Sequence, residues 1–446
     1  MNIVIAGAGE VGFHLAQLLV NEDQNITLID TDEELLANAA NSLDVKVIVG
    51  DVSSINILEE AKLGTAKLFI AVTTNESTNL LSCILAKKMG VKKTVARVKN
   101  SEFLEDTQKE YFKIIGIDNL FSPRYLAAKE VKRLISRVSA TDVFEFEDGK
   151  ISIIGFTADN ASPLINKSFR QLYELASDQH FRVIVVLRNS KTFIPKSTDM
   201  ILPGDHLYLS TDVSDFAQVN TLVGKTLKEI KNIMIIGDTP IAKDTATLLE
   251  NDFNVKVVLK DGSKCKRFLK DLKNASIIKG DPSNTQLLLE EGLDHMDAFI
   301  ALTSNSETNI LSSLMADNNG VYKTVALVDN PAYTHLSQKI GVDTIINKKL
   351  LAANNIFRYV RKGKIEAIAS FHGVEAEIIE FTIHKENQLV KKTLKELNFP
   401  EGMIVAGVIR NNNGMIPNAT FTFRLGDKVI VFALQEVMKR VESIFK

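Results

Sequence analysis

The sequence predicts an α/β protein made by tandem duplication, with a parallel-sheet domain and a small α+β domain each occurring twice. Three observations carry this. Short apolar, strand-like runs alternate with amphipathic helical stretches from the first residues onward, a glycine-rich turn joins the first strand to the first helix, and motifs of the first half return in the second at a nearly constant spacing.

The opening stretch sets the pattern. Asn2–Ala6 is an apolar strand, followed at once by Gly7-Ala8-Gly9-Glu10-Val11-Gly12, a helical pattern through Leu15, Ala16 and Leu19, and a second strand, Ile26–Ile29, ending in Asp30. Strand, G-x-G-x-x-G, helix, strand and acid in this order describe a dinucleotide-binding βαβ unit of the Rossmann type. Gly7 permits a tight turn, Gly9 leaves room for a pyrophosphate and Gly12 lets helix and strand approach. The helix N-terminus offers unpaired N–H groups and the positive end of its dipole. Asp30 stands where a carboxylate accepts hydrogen bonds from both ribose hydroxyls, and it would repel a 2′-phosphate, which favours NAD-type ligands.

The alternation continues through strands Val45–Val49, Leu68–Val72 and Thr94–Val98 and a helix Asn79–Met89, and reaches Phe121-Ser122-Pro123. Such a run implies a parallel sheet covered on both faces, with ligands bound beyond the strands' carboxyl ends. Asp51, Val52, Thr73, Thr74 and Arg97 all fall at those ends. A helix with a basic face (Arg124, Lys129, Lys132, Arg133, Arg137) leaves this domain. Thr141–Thr211 is different in texture, with β-like runs at Val143–Phe146, Ile151–Phe156, Val183–Leu187 and His206–Leu209 around one helix, Leu172–Ala176. Its turn signals include Asn189-Ser190 and Pro203-Gly204-Asp205, where an aspartate reads as a turn residue.

Then the pattern restarts at Asn232–Ile236. Gly50-Asp51 returns as Gly280-Asp281, Thr73 as Thr303 and Lys93-Thr94-Val95-Ala96 as Lys323-Thr324-Val325-Ala326, all at an offset of 230. Gly116-Ile117-Asp118 returns as Gly341-Val342-Asp343 and Gly204-Asp205 as Gly426-Asp427, at offsets of 225 and 222. Several of the ligand residues do not return. Gly237 is kept, but Thr239 replaces Gly9, Pro240 replaces Glu10, Ala242 replaces Gly12, Lys260 replaces Asp30 and Leu327 replaces Arg97. The first half is thus expected to bind the nucleotide. Gly237, Lys260, Asp281 and Thr303 form at most a second site of altered chemistry. The expected divisions are 1–138, 139–224, 225–365 and 366–446, four units where length alone suggests about three domains.

Composition excludes other classes. With 446 residues, 45% apolar, 24% charged and a formal net charge of −2, the chain has no concentrated positive field for nucleic acid. No run of eighteen apolar residues predicts a membrane span, and no secretory signal is expected ahead of the first strand. Cys83 and Cys265 lie far apart and suggest buried thiols in a reducing cytoplasm rather than a metal site. The seven histidines (14, 180, 206, 295, 335, 372, 384) form no constellation for catalysis. A NAD-dependent oxidoreductase remains the alternative, although it would need an acid or base near the nicotinamide that neither small module offers.

Taken together, GAGEVG with LID, VIVGDVSS, AVTTNESTN, ARV and FSP in order, and the duplication, resemble the TrkA family, cytosolic regulatory subunits of bacterial Trk potassium uptake systems. The repeated unit resembles an RCK (KTN) domain with TrkA-N and TrkA-C parts. The resemblance implies that Gly7–Val11, Asp30, Thr73, Thr74 and Arg97 contact NAD or NADH, or ATP or ADP, and that Asp51 and Val52 flank the adenine. It implies pairing of domains through the helices Pro123–Arg137 and Lys348–Arg361. Four chains would form a ring of eight RCK domains beneath a dimeric Trk-type channel subunit, on the cytoplasmic face of the membrane. It implies no enzymatic activity.

Overall fold

A computed structural model of the chain describes residues 1–20, 24–136, 142–147, 149–158, 162–175, 181–189, 191–211, 229–329, 333, 344–360, 365–370, 376–384, 386 and 388–445. The expected motif Gly341-Val342-Asp343, together with His180, His335, His372, Arg137, Ala176, Ser190 and Arg361, lies outside the described residues.

The first unit contains strands β1 (Asn2–Ala6), β2 (Asn25–Asp30), β3 (Lys46–Val49), β4 (Leu68–Ala71), β5 (Lys93–Arg97) and β6 (Asn119–Phe121). Its helices are α1 (Glu10–Val20), α2 (Glu33–Ser42), α3 (Ile55–Glu60), α4 (Glu76–Lys88), α5 (Asp106–Ile114) and α6 (Pro123–Ser136). All strand pairs are parallel, in the order β3-β2-β1-β4-β5-β6, so the order reverses between β1 and β4. Central strands covered on both faces need apolar residues at every position rather than at alternate ones. Ile3, Val4, Ile5 and Ala6, and Leu68 through Ala71, are accordingly all buried. Helix starts are set by local chemistry. Asp32 accepts from the amides of Glu34 and Leu35, and Asn75 accepts from that of Thr78. The Asn75 cap starts α4 at Glu76, three residues before the start the sequence pattern suggests.

The next unit is an antiparallel sheet of β7 (Asp142–Phe146), β8 (Ile151–Thr157), β9 (Phe181–Arg188), β10 (Lys191–Phe193) and β11 (His206–Thr211), with helix α7 (Phe169–Leu175). The short β10 is not evident in the sequence pattern. It forms because Asn189 adopts a left-handed turn, φ 49°, that folds the chain back on β9.

The architecture then repeats. Strands β12 (Asn232–Ile236), β13 (Asn254–Leu259), β14 (Ser276–Lys279), β15 (Ala298–Ala301), β16 (Lys323–Leu327) and β17 (Thr344–Ile346) form a second parallel sheet in the same order. Its helices are α8 (Pro240–Leu249), α9 (Gly262–Asp271), α10 (Thr285–Glu290), α11 (Ser306–Asn318) and α12 (Lys348–Val360). A second antiparallel sheet of β18 (Ile365–Ser370), β19 (Ala376–Thr382), β20 (Met403–Arg410), β21 (Asn413–Met415) and β22 (Lys428–Leu434) follows, with α13 (Gln388–Lys391) and α14 (Met438–Phe445). Asp205 and Asp427 are turn aspartates, and each is also buried against an arginine that the motif did not reveal. Arg188 grips Asp205 at 2.6 and 2.7 Å, and Arg410 grips Asp427 at 2.8 Å through both nitrogens.

The halves pack as a pseudo-twofold pair. Ala127, Val131, Leu134 and Ile135 of α6 share one core with Ile241, Ala242, Ala246 and Leu249 of α8. Reciprocally, Leu15, Ala16 and Leu19 of α1 share a core with Ala352 and Ile356 of α12. Phe146, Ile151 and Tyr208 of the first antiparallel sheet meet Ile378, Ile409 and Phe432 of the second. The two helices expected to pair domains therefore do so here between the halves of one chain.

Candidate functional site

The first glycine loop owes its shape to three different constraints. Gly7 is left-handed, φ +107°, and a Cβ there would lie 2.9 Å from the Thr73 amide. A Cβ on Gly12 would fall 1.8 Å from the Gly7 carbonyl oxygen, so the first turn of α1 presses directly on the loop. A Cβ on Gly9 would meet nothing within 4 Å. Gly9 is thus unnecessary for the fold, and its bare backbone leaves the start of α1 uncovered. The first helical hydrogen bond runs from Phe13 N–H to Gly9 C=O at 2.8 Å, so the amides of Glu10, Val11 and Gly12 precede it.

Around this loop the carboxyl ends of the strands converge as expected. Gly7, Gly9, Glu10, Val11, Asp30, Asp51, Val52, Thr73, Thr74 and Arg97 line one cleft of about 1050 Å³. Asp30 accepts from the Ala8 amide at 2.6 Å and from the Asp32 amide at 3.1 Å, which ties the glycine loop to β2. A carboxylate has about four lone-pair sites, so both oxygens can still accept from a ligand. The backbone N–H and hydroxyl of Ser53 lower the pKa of Asp51, so it is an anion at neutral pH. Arg97 is half-buried, and burial lowers its pKa. The one described contact of its guanidinium is a 3.5 Å approach to the Val72 carbonyl, and among the described residues no carboxylate pairs with it. A guanidinium in that position is favourable for an anion.

The residue that builds the Thr73 end is one the sequence motif did not single out. Asn79, 1% exposed, accepts from the amide and hydroxyl of Thr73 at 2.9 and 2.7 Å and donates to the carbonyls of Thr73 and Arg97 at 3.1 and 2.9 Å. Asn309 makes the same four bonds in the second half. The signal was available: this asparagine is kept in both halves while Gly9, Asp30 and Arg97 change.

In the second half the corresponding residues are engaged with one another, although Thr239, Thr303 and Leu327 still line the same cleft. Thr239 donates to the Leu302 carbonyl at 2.7 Å and accepts from the Ala242 amide at 3.2 Å, capping α8 where Gly9 leaves α1 open. Lys260 and Asp281 pair with each other at 2.7 Å, and each holds the other charged. Thr303 is engaged by Asn309, and Gly237 keeps the left-handed turn, φ +125°.

The cleft is also wider than one half. Thr239, Pro240, Ile241, Leu327, Lys348 and Lys349 of the second half line it together with the first-half residues. Two ion pairs bridge the halves at its edge, Arg124–Asp244 at 2.7 Å and Lys349–Glu10 at 2.7 Å. The sequence pattern does not reveal this shared wall, since nothing periodic marks a contact between residues this far apart.

Known proteins share both the sequence pattern and this fold. The TrkA-N domain family matches residues 3–123 and 233–348, and the TrkA-C domain family matches residues 378–446. The Trk system potassium uptake protein TrkA homolog 2 of Methanosarcina mazei is 31% identical, with both chains fully covered. The chain belongs to the TrkA family. The Trk system potassium uptake protein TrkA of Haemophilus influenzae is 29% identical over all of this chain and 99% of its own. Among solved structures, the GsuK RCK domain superposes with a TM-score of 0.61 at 16% identity, covering 99% of this chain and 94% of that one. The GsuK channel bound to NAD gives the same score and identity over 99% and 78%. These likenesses establish a shared fold for this TrkA-family chain. Among its described residues no helix is long and apolar enough to cross a membrane, and no cluster of His, Cys, Asp or Glu could hold a metal ion.

Proposed function

We propose that this TrkA-family chain is the nucleotide-sensing regulatory subunit of a potassium uptake system, a binding protein rather than an enzyme. The ligand is NAD or NADH, or ADP or ATP at the same place, held by Gly7–Gly12, Asp30, Asp51, Val52, Thr73, Thr74 and Arg97. The observation that carries this reading is the contrast between the halves. One helix N-terminus is bare beside an arginine that no carboxylate pairs with among the described residues, and the other is capped by Thr239 beside a satisfied Lys260–Asp281 pair. The relatives' names support the same role, and the GsuK channel solved with NAD bound supports the same ligand class.

A ligand shifts a conformational equilibrium only through its differential affinity for the two states. A cleft walled by both halves supplies that difference, because closing it around a nucleotide changes the angle between them. In this reading, units at 1–138, 139–224, 225–365 and 366–446 act as two RCK domains. Four chains form a ring of eight against the cytoplasmic face of a dimeric Trk-type channel subunit. The test is to coexpress the chain with such a subunit and purify by a tag on the latter. A copurifying assembly of about four chains that binds NADH supports the reading; a chain that stays monomeric and binds no nucleotide sinks it.

A further inference from the structure

The pseudo-twofold that pairs the halves is broken at one point beside the cleft. On one side, Arg124 at the start of α6 is anchored by Asp244, 8% exposed, on α8. By the repeat spacing, the equivalents of Arg124 and Asp244 are Lys349 and His14. Lys349 therefore faces a histidine instead of an acid. Burial lowers the pKa of His14, and the nearby Lys349 charge lowers it further, so the ring is neutral at physiological pH. Among the described residues the one carboxylate that reaches Lys349 is Glu10, at 2.7 Å, whose side chain is 73% exposed against 16% for the lysine.

These two cations differ in availability. Arg124 is committed to a desolvated partner whose loss would leave an uncompensated buried charge. Lys349 is held by a solvated glutamate, and pairs of that kind contribute little. The lysine is nonetheless well placed, because Asn347, fully buried, caps α12 by accepting from the Lys349 amide at 3.0 Å and the Leu350 amide at 3.1 Å. Glu10 is the first residue of α1, directly after Gly9, so the Lys349 ammonium sits one glutamate side chain away from the bare helix start.

We infer that Lys349, from the second half, is a phosphate-binding residue for the nucleotide held by the first half, and that Glu10 occupies it in the free protein. The inference rests on the nucleotide reading above. A pyrophosphate at α1 carries more charge than Glu10 and lies on the same side of the lysine, so it takes the ammonium over. The swap exchanges a contact between the halves for one that runs through the ligand. It gives the second half a direct part in reading the ligand's phosphates.

Opposite effects from two variants test this. In the full-length protein, NADH and adenosine are titrated against wild type, Lys349→Gln, Lys349→Arg and Glu10→Gln. Loss of a charge-assisted hydrogen bond predicts NADH binding weakened about tenfold by Lys349→Gln. Adenosine, which has no phosphate, should be unaffected, and Lys349→Arg should restore NADH affinity. Glu10→Gln should tighten NADH several-fold by removing the competitor. Unchanged NADH affinity in Lys349→Gln, equal losses for NADH and adenosine, or weaker NADH binding in Glu10→Gln would each overturn the inference. Absence of NADH binding in wild type would instead overturn the nucleotide reading beneath it.

Discussion

Replacing Gly9 by threonine separates the fold of the glycine loop from its proposed task. The second half displays the product, since Thr239 occupies the same place there. In the first half a Cβ at Gly9 has open space around it, and the backbone is not left-handed, so a β-branched residue fits. By analogy with Thr239, the new hydroxyl would accept from the Gly12 amide and donate to the Val72 carbonyl. A threonine cap is worth only a few tenths of a kcal/mol more than glycine. Stability should therefore stay within about 1 kcal/mol of wild type, a shift of roughly 2–4 °C in the melting midpoint. Binding should respond quite differently. The side chain fills the ligand's space and consumes helix N-terminal donors. Loss of two amide contacts to phosphate, at about 2 kcal/mol each, is ~4 kcal/mol, or close to a thousandfold in affinity. Calorimetric titration with NADH and a thermal melt of the same sample read both quantities. Wild-type affinity in Gly9→Thr would refute the assignment of the loop, and a large loss of stability would refute the claim that Gly9 is dispensable to the fold.

Other expectations follow from the same geometry. Asn79→Ala strips partners from two carbonyls, an amide and a hydroxyl around Thr73, so it should cost about 3 kcal/mol in chemical denaturation. Asn309→Ala should cost a similar amount, and equality of the two would mark the asparagine as structural rather than ligand-specific. His14 has a folded pKa below its usual 6.5 because it is buried beside Lys349, with a hydrogen bond to Gln17 opposing the shift. The unfolded chain then binds the extra proton first, so stability should fall as pH drops below about 6.5 toward the lower folded value. His14→Gln should flatten that part of the profile, and an unchanged slope would show that His14 is not the group responsible.

Much of this fold can be read from the chain because its signals are local. Continuous apolar runs such as Ile3–Ala6 specify doubly covered strands, and glycine placement marks the first loop. The fixed spacing between Thr73 and Thr303 reveals the duplication. Ten of the first half's candidate residues line one cleft for the same reason, since they sit at the carboxyl ends of parallel strands, while Ala8 and Gly12 do not line it. What escapes the sequence is long-range and specific to side chains. The grip of Arg188 on Asp205, the bonds of Asn79 and the reach of Lys349 to Glu10 depend on how the chain closes on itself. The shared wall of the cleft has the same origin. Periodicity places α6 and α12 as amphipathic helices, and only the packed halves show that each seals the other's first helix.

The central claim is that one half of a duplicated chain kept a nucleotide site while the other closed its own. The number of NADH molecules bound per chain tests it most directly, measured by calorimetry on the wild-type protein and on Asp30→Ala. The predicted result is one per wild-type chain and none in the variant, because Asp30 ties the loop and is the proposed acceptor for the ribose hydroxyls. Two per chain, or one per chain that survives Asp30→Ala, would contradict it.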